Sequence, residues 1–141
     1  MNRQEGAAIV EFALILPMLL ILIFITTEFG RAYNQYNTLT KSVREAARYM
    51  SVRAQGVDIA KAKNIIIYGN TAGSGAPVVP GLGLSNVPDP TWTTTGTYPV
   101  LNMVTVSVTG YRFTPITGNL FGINLGNITF GPIQATMRSP S

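Results

Sequence analysis

Apolar residues dominate the chain from Ala7 to Thr27, and no charged side chain interrupts them between Phe12 and Thr27. At ~1.5 Å of rise per residue, a helix over Ala7 to Thr27 spans the ~30 Å hydrocarbon core of a bilayer. Beyond it the pattern changes. Phe29, Tyr33, Tyr36, Leu39, Val43, Ala46, Ala47, Met50 and Ala54 recur at three- and four-residue spacing, the mark of an amphipathic helix. Together these predict one helix from about Ala7 to Ala54, ~70 Å long, apolar all round in its first half and one-sided in its second. The aromatic and aliphatic stripe predicts core packing. Lys41 with Glu45, and Glu45 with Arg48, are spaced to pair on another face. Gln55-Gly56 closes the pattern, with Gly56 suited to the residue just past a helix end.

The remainder predicts a small head. Val57 to Lys63 allows a short helical turn, and Asn64-Ile65-Ile66-Ile67-Tyr68 reads either as a short buried strand or as the end of that helix. Gly69 to Gly96 is rich in Gly, Pro, Ser, Thr and Asn, the composition of a loop. It serves either as a connector or as a surface that touches a neighbour. Trp92 in it either anchors an interface or folds back on the head. Val104, Val106 and Val108 alternate with Thr105, Ser107 and Thr109, which predicts a half-buried strand that Tyr111 and Phe113 continue past Gly110. Asn119 to Asn127 reads as a Gly/Asn loop carrying Leu120, Phe121, Ile123 and Leu125. Ile128 to Arg138 reads as a last strand. The fold class expected is α+β: a long N-terminal helix laid against a small, mostly antiparallel sheet.

Charge narrows the chemistry. The chain carries ten Lys and Arg against six Asp and Glu, and no His or Cys. Thiolate nucleophiles, imidazole bases and the commonest zinc sites are thereby excluded. Glu5, Glu11 and Glu28 fall in the N-terminal segment, leaving few carboxylates for the head, which weighs against a two-carboxylate hydrolase. No phosphate-binding loop occurs, and Gly73-Ser74-Gly75 is not a nucleophile elbow. The expectation is a protein that is not an enzyme and holds no cofactor or metal. Arg31, Lys41, Arg44, Arg48, Arg53, Lys61 and Lys63 gather between residues 31 and 63. That cluster fits a solvated helix face near anionic lipid better than a nucleic-acid footprint.

Three readings of the N-terminus compete. A cleaved signal peptide explains the apolar run, but Glu11 sits inside it and no small-x-small cleavage site follows Leu22. A plain membrane anchor explains the length. Neither explains Glu11, because an ionised carboxylate in a bilayer costs a few kcal/mol or more. It needs a positive partner: Arg3, about two turns away, or an α-amine exposed by cutting just before the helix. Pro17 removes one helical donor, and marks either a tolerated kink or a turn that bends or melts on packing.

Gly6, then Ala7-Ala8-Ile9-Val10, then Glu11-Phe12 resembles the type IV prepilin cleavage motif. With Pro17 and Glu28-Phe29-Gly30-Arg31, the run resembles the opening of TadE-like proteins, minor pilins or pseudopilins of tight-adherence (Tad) pili. The closing Ile133 to Pro140 is similar to the end of such domains. The resemblance implies a prepilin leader over 1–6, cut between Gly6 and Ala7 by a membrane aspartyl prepilin peptidase. It implies a transmembrane helix over 7–30, an amphipathic continuation over 31–56 and a head over 57–141 with the glycine-rich loop 69–96. Glu11 would set register among subunits with Phe12 and Pro17, partnered by the new Ala7 amine. From the residues themselves, Glu28 and Arg31, three apart, mark the exit from the bilayer and are spaced to pair weakly. Implied partners are the peptidase, other pilin and minor pilin subunits, the inner-membrane assembly platform and lipid, with no nucleic acid. The implied role is a pilus subunit supporting adhesion and biofilm formation, its head periplasmic or at the cell surface. A positive-inside count instead places the C-terminal side in the cytoplasm. The alternative function is an uncleaved single-pass binding module that acts as an assembly factor.

Overall fold

The computed structural model describes the backbone of residues 3–116, 119–120, 123–124 and 129–140, and side chains over 6–116 and 129–140. One helix, α1 (Arg3–Met50), runs unbroken for 48 residues, about 72 Å at ~1.5 Å per residue. It is followed by α2 (Ile59–Tyr68), a 3₁₀ turn (Leu84–Asn86), and strands β1 (Thr91–Thr95), β2 (Leu101–Val108), β3 (Asn119–Leu120), β4 (Ile123–Asn124) and β5 (Ile133–Arg138). The main sheet is antiparallel in the order β1-β2-β5, and β3 pairs with β4 in a separate two-stranded ribbon. The architecture is α+β, as the pattern predicts.

The alternation in β2 decides which face is inside. Val104, Val106 and Val108 are buried, and the register opposes them to Met137, Ala135 and Ile133 of β5. The outward positions include Thr105, whose hydroxyl lies 2.8 Å from that of Thr136 across the strands. A one-residue slip would turn the three valines to solvent, so burial fixes the register. Leu39, Val43, Ala46, Ala47 and Met50 of α1 close over this face, together with Ala62, Ile65, Ile66 and Ile67 of α2.

Two expectations are corrected, and one alternative left open by the sequence is resolved. First, α1 ends at Met50 rather than near Ala54; the chain leaves through Ser51 and Arg53 amides bonded to the Ala47 and Met50 carbonyls. Gly56 therefore sits at positive φ within the connection to α2, not at the end of α1. Second, Asn64 to Tyr68 is helix. The run Ile65-Ile66-Ile67 is buried throughout because α2 packs on α1 while the returning chain covers its other side, with the Val78 amide on the Ile67 carbonyl at 2.7 Å. Third, 69–96 is not a loose connector. Asn70 accepts from the Gly73 and Ser74 amides and donates to the Tyr68 and Ser74 carbonyls. Val79, Leu82 and Val87 are buried in the core, and residues 91–95 form the edge strand β1.

In the 119–127 segment the described pieces are strands, Asn119 with Asn124 and Leu120 with Ile123, where a loop was expected. Phe121 and Leu125 lie outside the described residues. The final strand begins at Ile133, later than Ile128, with its apolar positions inward as expected.

Candidate functional site

The feature that sets this chain apart is the part of α1 that no described residue covers. Ile9, Val10, Phe12, Leu14, Met18, Leu22 and Ile23 are all exposed. The most apolar window of the helix has a mean hydropathy of 2.9 and no buried residue. By length and composition it can cross a membrane, and it is compatible with membrane anchoring. An apolar surface this long does not stay in water; lipid or another apolar helix must cover it.

On this stem Glu11 is exposed and, among the described residues, has no ion-pair partner. The backbone is helical across Gly6 and Ala7, and a Cβ added at Gly6 would meet nothing within 4 Å. Packing among the described residues gives no reason for a glycine there. Pro17 lies inside the continuous helix, exposed, with no melted turn in the isolated chain. It still lacks the N–H that would bond the Ala13 carbonyl. Phe12 is exposed on the stem.

Where the stem meets the head, Glu28 does more than mark an exit. It is buried, its Oε2 lies 3.0 Å from Arg31 Nη1, and its Oε1 accepts from the Ile116 amide at 3.1 Å. The Arg31 guanidinium in turn lies 5.8 Å from the ring centroid of buried Phe113. The first charged residue after the apolar run thus ties the helix to a segment 88 positions away. One level up, Tyr111 Oη lies 2.7 Å from the Pro80 carbonyl and 2.9 Å from the Gln35 side-chain amide. A phenol has one proton. Pro80 can only accept it, so the Gln35 contact is satisfied with the amide turned to donate. Burial pushes the Tyr111 phenol above its ordinary value, keeping that proton in place.

The amphipathic stripe is core only in part. Leu39, Val43, Ala46, Ala47 and Met50 are buried, but Phe29, Tyr33 and Tyr36 are exposed. The line facing the head is Glu28, Ala32, Gln35 and Leu39. Phe29, Tyr33 and Tyr36 sit roughly 100° round the helix from it. Tyr36 meets Phe130 edge-on at 5.6 Å, while Phe29 and Tyr33 remain uncovered. Trp92 is in β1 opposite Val104 and packs against the core, the folded-back alternative. Its indole N–H has no acceptor among the described residues.

Four of the seven cations of the basic cluster are paired among the described residues. Arg31 engages Glu28, Arg53 and Lys61 engage Asp58 at 3.2 and 3.0 Å, and Lys63 engages Asp89 at 2.6 Å. Lys41, Arg44 and Arg48 stay exposed on the outer face of α1. Among the described residues, the expected Lys41–Glu45 and Glu45–Arg48 pairs do not form. In water, long exposed side chains gain little from such contacts. Asp58 is the hub that pattern reading missed: Tyr49 also donates to it at 3.2 Å, and it adopts a left-handed backbone at the start of α2. The hydrogen bond from Lys61 leads the causes that lower its carboxyl pKa. An open cleft of about 510 Å³ beside α2, with Glu45 and Arg48 on its lining, brings together no further titratable pair.

These features define a class: a long-helix protein with a bare apolar stem and a small sheet head locked onto the helix just above it. Residues 6–48 match the family model described as TadE-like protein. Over that segment the TadE-like resemblance holds, and it supports involvement in a Tad pilus system. No curated protein and no solved structure matches the chain.

Proposed function

We propose that the chain is a minor pilin or pseudopilin of a Tad-type pilus. In this reading a prepilin peptidase cuts between Gly6 and Ala7, and the mature helix joins other pilin subunits through the inner-membrane assembly platform. The head lies on the periplasmic side or at the cell surface, and the role is structural, in pili that support adhesion and biofilm formation, rather than enzymatic. The observation that carries the reading is the bare stem with the single carboxylate Glu11 between Gly6 and Glu28. A greasy helix in lipid or among apolar helices leaves that charge in search of a cation. The Ala7 amine freed by cleavage supplies one, on its own chain or a neighbour. Gly6 supports the same reading, since packing among the described residues does not ask for glycine there.

The test is the N-terminal residue and intact mass of the protein from its native membrane, with and without the peptidase. A chain starting at Ala7 only when the peptidase is present is the expected result. Retention of residues 1–6 in both cases would overturn it in favour of an uncleaved anchored binding module. Glu11→Ala should leave the protein in the membrane yet abolish its recovery in sheared pili. Normal incorporation of that variant would remove the register role.

A further inference from the structure

The lower end of the head carries apolar side chains at one level, on different sides of the helix. Glu28 is the first charged residue after the run that ends at Thr27. The Ile116 amide donates to it, so residue 116 sits at that height, with its side chain 76% exposed. Phe29, the next residue of the helix, is 57% exposed, and Tyr33 is 69% exposed. Tyr33 lies about 7 Å further along at ~1.5 Å per residue. Helical side chains lean toward the N-terminus, so its ring reaches back toward the stem. The headgroup layer on each side of a bilayer is roughly 5–7 Å thick, and aromatic residues with a polar tip collect there. Around the helix axis, Phe29 and Tyr33 stand roughly 100° and 140° from Glu28. Contact is therefore available on two flanks at one depth.

We infer that Phe29, Tyr33 and Ile116 form an interfacial seat that inserts into the headgroup layer of a bilayer and fixes the tilt of the head upon it. The occupant is lipid because the patch stands at the head end of the charge-free run, which closes at Thr27, and this rests on the stem being the membrane span. Depth alone would be set by the stem. The seat adds orientation, since the Glu28–Ile116 hydrogen bond joins head and helix at the surface and α1 runs unbroken through it. Arg31, held by Glu28 and partly exposed, presents its remaining donors at the same level.

The chain contains no cysteine, so single cysteines can be placed at will. The full chain would be reconstituted in vesicles of phosphatidylethanolamine and phosphatidylglycerol, with an environment-sensitive fluorophore at Leu20, Phe29, Tyr33, Ile116 or Tyr98. Tyr98 is 98% exposed beside Val100, which lines a cleft with Ser51 and Val52 beyond the far end of α1. Iodide would quench from water, and headgroup-nitroxide lipid from the interface. The seat predicts that labels at 29, 33 and 116 are protected from iodide at least threefold relative to 98 and are quenched by the nitroxide lipid. Iodide access at 33 and 116 equal to that at 98, with 20 still protected, would overturn the seat while leaving the span intact. Protection at 116 without lipid quenching would also overturn it, in favour of a protein neighbour. Iodide access at Leu20 would overturn the span and the seat with it.

Discussion

Glu28 holds the head to the helix with one buried carboxylate that accepts from a backbone amide and a guanidinium. Glu28→Ala removes these two contacts; a hydrogen bond to a charged group contributes about 1.5–3 kcal/mol, and water at the partly exposed Arg31 offsets part of that. The expected outcome is faster hydrogen exchange at the Ile116 amide in micelles, with Glu28→Gln closer to the native rate because its carbonyl still accepts. Unchanged protection in the alanine variant would show that the 113–116 segment is held by packing alone. Asp58 gives a prediction in pH. Its folded-state value lies below the ordinary aspartate value near 3.8, led by the Lys61 hydrogen bond. A depressed carboxyl stabilises the fold above its unfolded pKa and loses that contribution as pH falls through the folded one. Asp58→Asn should therefore unfold earlier than the native chain at pH 6, and the gap should close below about pH 4. Trp92, the one tryptophan, reports the transition. The partners three residues away, Arg31 for Glu28 and Lys61 for Asp58, stand at a spacing that the sequence shows; the distant ones do not. Nothing local to Glu28 points to position 116, and nothing local to Asp58 points back to Tyr49 and Arg53.

At the scale of elements, α2 and the edge hairpin are the informative cases. Three consecutive isoleucines satisfy a strand and a helix equally, because periodicity is lost when every position is buried. Coverage from both sides makes the helix tolerable, and Gly69 at positive φ ends it with its amide on the Ile65 carbonyl. Ile66→Ala should cost about 2–5 kcal/mol, the range for emptying a large aliphatic from a closed core. A loss under 1 kcal/mol in denaturant titration would mean that α2 is not an integral part of that core. In the β1–β2 turn, Gly96 has φ +91° and a Cβ there would approach the Pro99 carbonyl oxygen to 2.7 Å. Gly96→Ala is thus strained by conformation and by contact, and should lower the unfolding midpoint while Gly75→Ala, which meets only the conformational strain, lowers it less.

For the whole molecule, the division is between a head built round a buried apolar core and a stem whose most apolar window has no buried residue. The chain should resist extraction by alkaline carbonate and require detergent. Release by carbonate would mean that the stem lies on the membrane surface rather than through it. The exposed cations Lys41, Arg44 and Arg48 lie on the helix face turned away from the sheet. Their side of the membrane decides whether the simple count of basic residues misleads here, and protease accessibility of the head in sealed cells reads that out.

The sequence alone determined whatever depends on neighbours along the chain. The charge-free run, the change from all-round apolar to one-sided helix, the alternation of β2 and β5 and the TadE-like opening were all visible there. Each is a short-range pattern repeated often enough to outweigh its exceptions. Tertiary structure alone decided which members of the stripe are core. The head meets α1 along the line of Glu28, Ala32, Gln35 and Leu39, so Phe29 and Tyr33 are left outside despite identical spacing. It also decided that a Gly/Pro-rich stretch supplies Val79, Leu82, Val87 and an edge strand to the core. Composition marks where a chain can turn; what a turning segment packs against is set by contacts between residues far apart in sequence, which no local pattern carries.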